Sequence, residues 1–227
     1  MGKLSGKTAL IAGASKGIGE GIARTFVKHG ANVVLAARGE AVEELAAQLR
    51  AEGAQAVAVR MDVADMDSVR AGYEAGVKAF GAIDILVSNA GICRLGDFLT
   101  QSDADRDAHL DINVKGAWNT CKAVLPAMVE RKWGKIVIMS SVPGDMVADP
   151  GEAAYAMSKA ALVGLTKALA QEFAPYVNVN AICPGYVLTP MVQGMAVQSC
   201  PDNPQSVVDG IASAIPLGRL ADPKEVG

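Results

Sequence analysis

The sequence predicts a three-layer α/β domain, a doubly wound parallel sheet with helices on both faces. Short unbroken apolar runs alternate with longer helix-length stretches, which is the pattern of βα units around a sheet buried on both sides. The first run opens directly into a glycine-rich turn, Gly13-Ala-Ser-Lys-Gly17-Ile-Gly19. No linker, internal repeat or low-complexity segment interrupts the 227 residues, so residues 1–227 read as one domain.

The run over 8–12 is short enough for a buried parallel strand, and a helix follows the glycine turn to about residue 29. Strand, turn and helix N-terminus together form a dinucleotide-binding opening. Glycines let the backbone approach a pyrophosphate, and the first helix N–H groups meet its charge; an ordinary βα turn is the plainer reading. The second strand, 32–36, ends at Ala37-Arg38-Gly39, where an adenosine ribose would lie. NAD enzymes place a carboxylate there for the ribose 2′-hydroxyl. This chain offers Ala37, then Arg38, with Lys16 in the turn. Two cations suit a 2′-phosphate, unless both are solvated surface charges. The expected cofactor is therefore NADP(H) in preference to NAD(H).

Helix 40–52, strand 55–60, helix 66–79 and strand 83–87 continue the alternation, and Asn89-Ala90-Gly91 closes the fourth strand. Ser102-Asp-Ala-Asp105 can cap the next long helix, which carries Asn113, and Pro126 should kink or end it. Trp118 and Trp133 read as packing residues. A fifth strand over 135–139 runs into Ser140-Ser141, a hydroxyl pair at the carboxyl end of a strand, where open α/β sheets put their sites. A long apolar helix then carries Tyr155 and Lys159 and reaches about Phe173, and strand 177–182 leads into the loop 183–190.

Tyr155 and Lys159, four apart, lie on one helix face a turn from each other. Free tyrosine and lysine titrate at about 10 and about 10.4, too high for proton exchange at neutral pH. A fixed ammonium favours phenolate over phenol and should pull the tyrosine towards the working range of a general acid/base. Any long helix can carry such a pair on its surface, so the weight rests on the company it keeps.

That company resembles a known family. Gly13-x-x-x-Gly17-Ile18-Gly19, Asn89-Ala90-Gly91, Asn113, Ser141, Tyr155-x-x-x-Lys159 and Pro184-Gly185 together resemble the classical short-chain dehydrogenase/reductases, over nearly the whole chain. The resemblance implies a sheet in the order 3-2-1-4-5-6 and hydride transfer between a nicotinamide cofactor and a carbonyl or secondary alcohol. It implies catalytic roles for Asn113, Ser141, Tyr155 and Lys159. Ser141 would orient the substrate and stabilise the developing oxyanion, Tyr155 would exchange the proton, and Asn113 would hold a water linked to Lys159. The cofactor would lie along Gly13, Ser15, Lys16, Gly17, Ile18, Gly19, Arg38, the Asp62-Val63 pair, Asn89, Ala90, Gly91, Tyr155, Lys159, Pro184 and Gly185, with Val187 and Thr189 at the nicotinamide and pyrophosphate. Two positions depart from the family's habit, Ala12 for threonine and Ser88 for asparagine.

The segment 190–217 reads as a substrate lid. Met191, Met195, Ile211, Ile215 and Leu217 can line an apolar pocket, and ordinary packing accounts for them as well. Relatives usually continue past a segment such as 222–227 into another helix and a seventh strand. Without them the strand 177–182 is expected to be an open edge. The resemblance then implies a homodimer through the helices around Asn113 and Tyr155, where longer relatives are tetrameric.

With 51% hydrophobic and 20% charged residues and a net charge of -3, the chain shows no electrostatic footprint for nucleic acid. It has no apolar signal core and no run long enough for a membrane span, which suits the cytoplasm. Cys93, Cys121, Cys183 and Cys200 are scattered and the only histidines are His29 and His109, so no metal site is expected. Within the enzyme class the alternative is a 3-oxoacyl-carrier-protein reductase, for which Arg131-Lys132 offers a basic contact. Outside it stands a non-catalytic NADP-binding regulatory protein.

Overall fold

The structure, a computed structural model, describes residues 2–227. Six strands form one sheet in the order β3-β2-β1-β4-β5-β6, as expected: β1 Thr8–Ala12, β2 Asn32–Ala37, β3 Ala56–Arg60, β4 Ile85–Ser88, β5 Gly134–Met139 and β6 Val177–Ile182. Every pairing is parallel. The strands are continuously apolar because both faces are covered, and the period of two shows which side chain goes where. Leu10, Val34, Leu86, Ile136 and Ile138 pack on one face with Val69, Val124 and Leu162 from α3 (Met66–Phe80), α5 (Gly116–Glu130) and α6 (Ala153–Glu172). Ile11, Val33, Leu35 and Val87 pack on the other with Ile22, Val42 and Leu49 from α1 (Gly17–Lys28) and α2 (Ala41–Ala51).

Register sets the position of the site. Ala12 is opposite both Ala36 and Ser88, and Met139 is opposite Ile182, so the residues just past β1, β2, β4, β5 and β6 emerge together at the carboxyl edge.

Between α4 (Asp103–His109) and α5 the helix widens to a π-helical stretch, Leu110–Lys115, and this holds Asn113. Such bulges displace one turn of backbone and cluster at functional sites. Ser102 caps α4, accepting from the Asp105 N–H. Pro126 lies inside α5 and does not end it, since the helix runs on to Glu130. The buried Val124, Leu125 and Met128 around it, each worth about 1.5–3 kcal/mol of burial, outweigh the roughly 3 kcal/mol that an interior proline costs. Trp118 is 54% exposed and packs in no core, while the Trp133 ring carries the Lys7 ammonium 3.9 Å from its centroid.

Beyond β6, α7 (Pro190–Ser199) and α8 (Pro204–Ala214) form a helical pair in which only Val192 and Ala196 of α7 are buried. No strand pairs with the outer side of β6 among the described residues.

Candidate active site

At the end of β1 the chain turns through Gly13 and Gly17 with φ of 75° and 61°. A Cβ on Gly13 would stand 2.7 Å from the Ala90 Cα, so glycine is required there by both conformation and space. Ala12 offers no side-chain bond to the turn, and Asn89 supplies one: its Nδ2 donates to the Gly13 carbonyl at 3.0 Å, while the Gly13 N–H donates to Ala36 at 2.8 Å. Ser88 shares a hydrogen bond with Thr120 at 3.0 Å, tying β4 to α5.

This turn borders a long cleft. Gly13, Ser15, Lys16, Gly17, Ile18, Arg38, Asp62, Val63, Asn89, Ala90, Gly91 and Thr189 all line it. Asp62 also accepts the Ala64 N–H, and Asp65, not Asp62, caps α3. Gly19 does not face the cleft. It is buried beneath the turn, where a Cβ would meet the Gly13 carbonyl oxygen at 2.1 Å, so its part is close packing of α1 on the turn.

The cleft continues past Asn89, Gly91 and Thr189 into an inner pocket of about 900 Å³, counting space open to solvent. Ser141, Tyr155, Lys159, Pro184, Gly185 and Val187 line it, together with Met191 and Met195 of α7. Ile211, Ile215 and Leu217 line neither space, so the apolar lining expected of 190–217 comes from its first helix alone. The Lys159 Nζ donates to the Met139 carbonyl at 2.8 Å and lies 5.6 Å from the Tyr155 ring centroid. Ser140 donates to the Lys159 carbonyl at 2.8 Å, clamping α6 to the end of β5.

The electrostatics differ from the expectation of a lowered tyrosine. Burial pushes the Tyr155 phenol up to about 12, against a hydrogen-bonding pull from Ser141, and Cys93 and Glu152 push the same way as burial. Burial brings the Lys159 ammonium down to about 8. Desolvation therefore dominates at both groups, and the tyrosine holds its proton through the neutral range.

Asn113 lines neither space. Its Oδ1 accepts the Ile92 N–H at 2.8 Å, and its Nδ2 donates to the Ile92 carbonyl at 3.0 Å and to Ser158 Oγ at 2.9 Å. Both amide protons are spent, so any water it holds is held by an oxygen. Ser158, fully buried, passes the link on by donating to the Tyr155 carbonyl at 2.7 Å. Sequence reasoning missed Ser158, although it stands between Tyr155 and Lys159. It also missed Cys93, Asp149, Glu152 and Tyr186, which line the inner pocket. The Tyr186 hydroxyl donates to Asp149 at 2.6 Å, closing one loop across to another. Only Glu152, one helical turn before Tyr155, carried a readable signal.

Residues 7–198 match the short chain dehydrogenase family. The chain belongs to that family. It is 61% identical over 228 residues to oxidoreductase UcpA of Salmonella typhimurium, covering 100% of this chain and 87% of that protein. It is 35% identical over 226 residues to the 3-oxoacyl-[acyl-carrier-protein] reductase FabG of Thermotoga maritima, covering 99% of this chain and 88% of the other. A crystal structure of a variant actinorhodin polyketide ketoreductase with NADPH superposes with a TM-score of 0.92 at 35% identity, covering 100% of this chain and 89% of that one. As a short chain dehydrogenase the protein is an oxidoreductase acting on alcohol or carbonyl groups with a nicotinamide cofactor. The open cleft beside the α1 N-terminus, bordered by Gly13, Ser15, Gly17 and Ile18, fits such a dinucleotide. Among the described residues no cluster of His, Cys, Asp and Glu could hold a metal ion, and no helix is long and apolar enough to cross a membrane.

Proposed function

We propose that the protein interconverts a small carbonyl compound and its secondary alcohol with NADP(H), Tyr155 exchanging the proton. The observation that carries this reading is the convergence of Ser141, Tyr155 and Lys159 on one pocket continuous with the glycine-turn cleft. When bound, the nicotinamide supplies or accepts the hydride. Tyr155, protonated at neutral pH, donates to the substrate oxygen; Ser141 orients that oxygen and stabilises its developing charge. Lys159 holds a positive charge behind the phenol and favours the phenolate that proton donation leaves. Gly13, Ser15, Gly17 and Ile18 would hold the pyrophosphate side. Asp62, Val63 and Ala90 would hold the adenosine, with Gly91, Pro184, Gly185, Val187 and Thr189 around the nicotinamide. Lys16 and Arg38 would meet the 2′-phosphate.

An NADPH-oxidation assay over a panel of carbonyl compounds, repeated with NADH, tests the reading. Turnover of at least one ketone, faster with NADPH, is expected; no turnover with either cofactor would sink it and leave the non-catalytic regulator. The carrier-protein alternative is weakened by its own basic contact. Arg131 precedes β5, at the amino edge of the sheet opposite the pocket, and its guanidinium is engaged by the Ile83 carbonyl at 2.8 Å.

The homodimer belongs to the same proposal. Trp118 on α5 and Met157 on α6, 54% and 47% exposed, support an apolar contact through these helices. Light scattering should give the mass of two chains.

A further inference from the structure

Glu152 is a buried carboxylate in a substrate pocket, and the reaction has no use for it. It is 4% exposed and lines the same space as Ser141, Tyr155 and Lys159. Its Oε2 accepts the Asp149 N–H at 3.2 Å, while Oε1 has no hydrogen-bond partner and the side chain joins no ion pair among the described residues. No fully enclosed side-chain nitrogen or oxygen lacks a partner among those residues, so Oε1 opens onto the pocket. A carboxylate oxygen facing a space walled by Val142, Pro143, Val147, Met191 and Val192 is costly unless something donates to it.

We propose that Glu152 selects the substrate by accepting a hydrogen bond from a hydroxyl near the reacting carbon. The pocket then takes neutral hydroxylated carbonyl compounds, or the matching polyols, ahead of plain ketones and acyl chains. This inference rests on the carbonyl and alcohol reading above and names the substrate class for it. The neighbouring groups narrow the choice. Asp149 accepts the Tyr186 hydroxyl at one oxygen and is exposed, so water satisfies its other oxygen and it carries no comparable desolvation cost. Among the described residues Lys159 is the only cation lining the pocket, and it donates to Met139, so an anionic substrate would meet two carboxylates with little to offset them. An ammonium would have to shed its water against the apolar wall. A hydroxyl sheds less and satisfies Oε1, whereas an aliphatic chain leaves Oε1 desolvated and unpaired.

The test uses two substrate pairs that differ by one hydroxyl, hydroxyacetone against acetone and α-hydroxycyclohexanone against cyclohexanone. They are assayed with the full chain and the cofactor that the panel favours. For the wild type, kcat/KM should favour the hydroxylated member of each pair by about tenfold or more, because a site built to hydrogen-bond a hydroxyl rejects the analogue without one. Glu152→Leu should bring the ratio close to one, and Glu152→Gln, which keeps an accepting oxygen, should fall between. Each ratio is taken within one variant, so the folded fraction cancels, and Glu152→Gln alone decides the matter where Glu152→Leu does not fold. Ketone turnover with a wild-type ratio near one, or a ratio unchanged by both substitutions, overturns the role of Glu152 and leaves the hydride-transfer reading standing. No turnover of any carbonyl overturns both.

Discussion

The imidazole of His109 meets the Tyr155 ring edge to face, with centroids 6.3 Å apart and planes at 68°. The histidine is fully buried, and its Nε2 accepts the Arg94 N–H at 3.1 Å. The proton must then be on Nδ1, which donates to the Asp105 carbonyl at 2.7 Å. A neutral, doubly anchored ring thus backs the proposed acid. Replacing His109 by Phe keeps an aromatic edge but leaves the part-buried Arg94 N–H without its acceptor, at about 1–3 kcal/mol. The expected outcome is a melting temperature lowered by several degrees and a reduced kcat, with cofactor affinity preserved. Thermal melts and a cofactor titration check it, and unchanged kcat would remove His109 from the positioning of Tyr155.

Tyr155→Phe tests the acid itself. With the phenol held at about 12, the group is a proton donor over the whole neutral range, which suits carbonyl reduction. Turnover should fall by at least about a hundredfold, the low end of what a positioned acid contributes. NADPH affinity should stay within a few-fold, since the ring still packs. Steady-state rates beside a fluorescence titration separate the two, and retained turnover would end the assignment.

Local pattern explains what was legible in the sequence. Leu10 and Ile11 alternate between the two faces of the sheet, so an unbroken apolar run announces a strand covered on both sides. The glycine turn and the Tyr155–Lys159 spacing are equally local. Glu152, Asp149 and Tyr186 meet only because the loops after β5 and β6 fold over one edge, and no spacing encodes that meeting. The direction of the Tyr155 shift is not legible for the same reason. Proximity along a helix predicts attraction to Lys159, whereas burial, which helix spacing does not reveal, sets the direction. Gly19 read as a cofactor contact because its motif is one, yet the space it leaves is filled by Gly13 and Asn89.

Lys159 carries a stability cost that its removal should reveal. Its pKa falls from 10.5 to about 8 on burial, so the folded value is below the unfolded one. Below pH 8 both states hold the proton and the native state bears the full penalty; between about 8 and 10.5 the unfolded state binds more protons, and this group's contribution makes stability rise with pH. A shift of that size is roughly 3 kcal/mol at most, less about 1 kcal/mol for the bond to Met139. Lys159→Met is therefore expected to melt higher than wild type at pH 7, to lose the rise in stability above pH 8, and to lose turnover and cofactor affinity together. Cofactor-free melts from pH 6 to 10 decide it, and a variant melting well below wild type at pH 7 would mean the ammonium is stabilising.

Cofactor choice turns on which cations the cleft leaves free. Ala37 is opposite Arg60 in the sheet, but the Arg60 guanidinium is taken by Glu40 at 3.1 Å and Glu43 at 2.9 Å. Lys16 and Arg38 border the cleft, and neither joins an ion pair among the described residues. A 2′-phosphate would therefore find two unneutralised cations, and a bare 2′-hydroxyl would find no carboxylate at Ala37 to accept from it. NADPH should bind at least about tenfold more tightly than NADH, by a margin that shrinks as salt is added, because exposed charges are screened. Ala37→Asp with Arg38→Leu should reverse the order by supplying the hydroxyl's acceptor and removing the guanidinium. Titrations of both cofactors at low and high salt make the measurement, and a wild type that binds NADH more tightly at low salt would show that Lys16 and Arg38 face solvent and not phosphate.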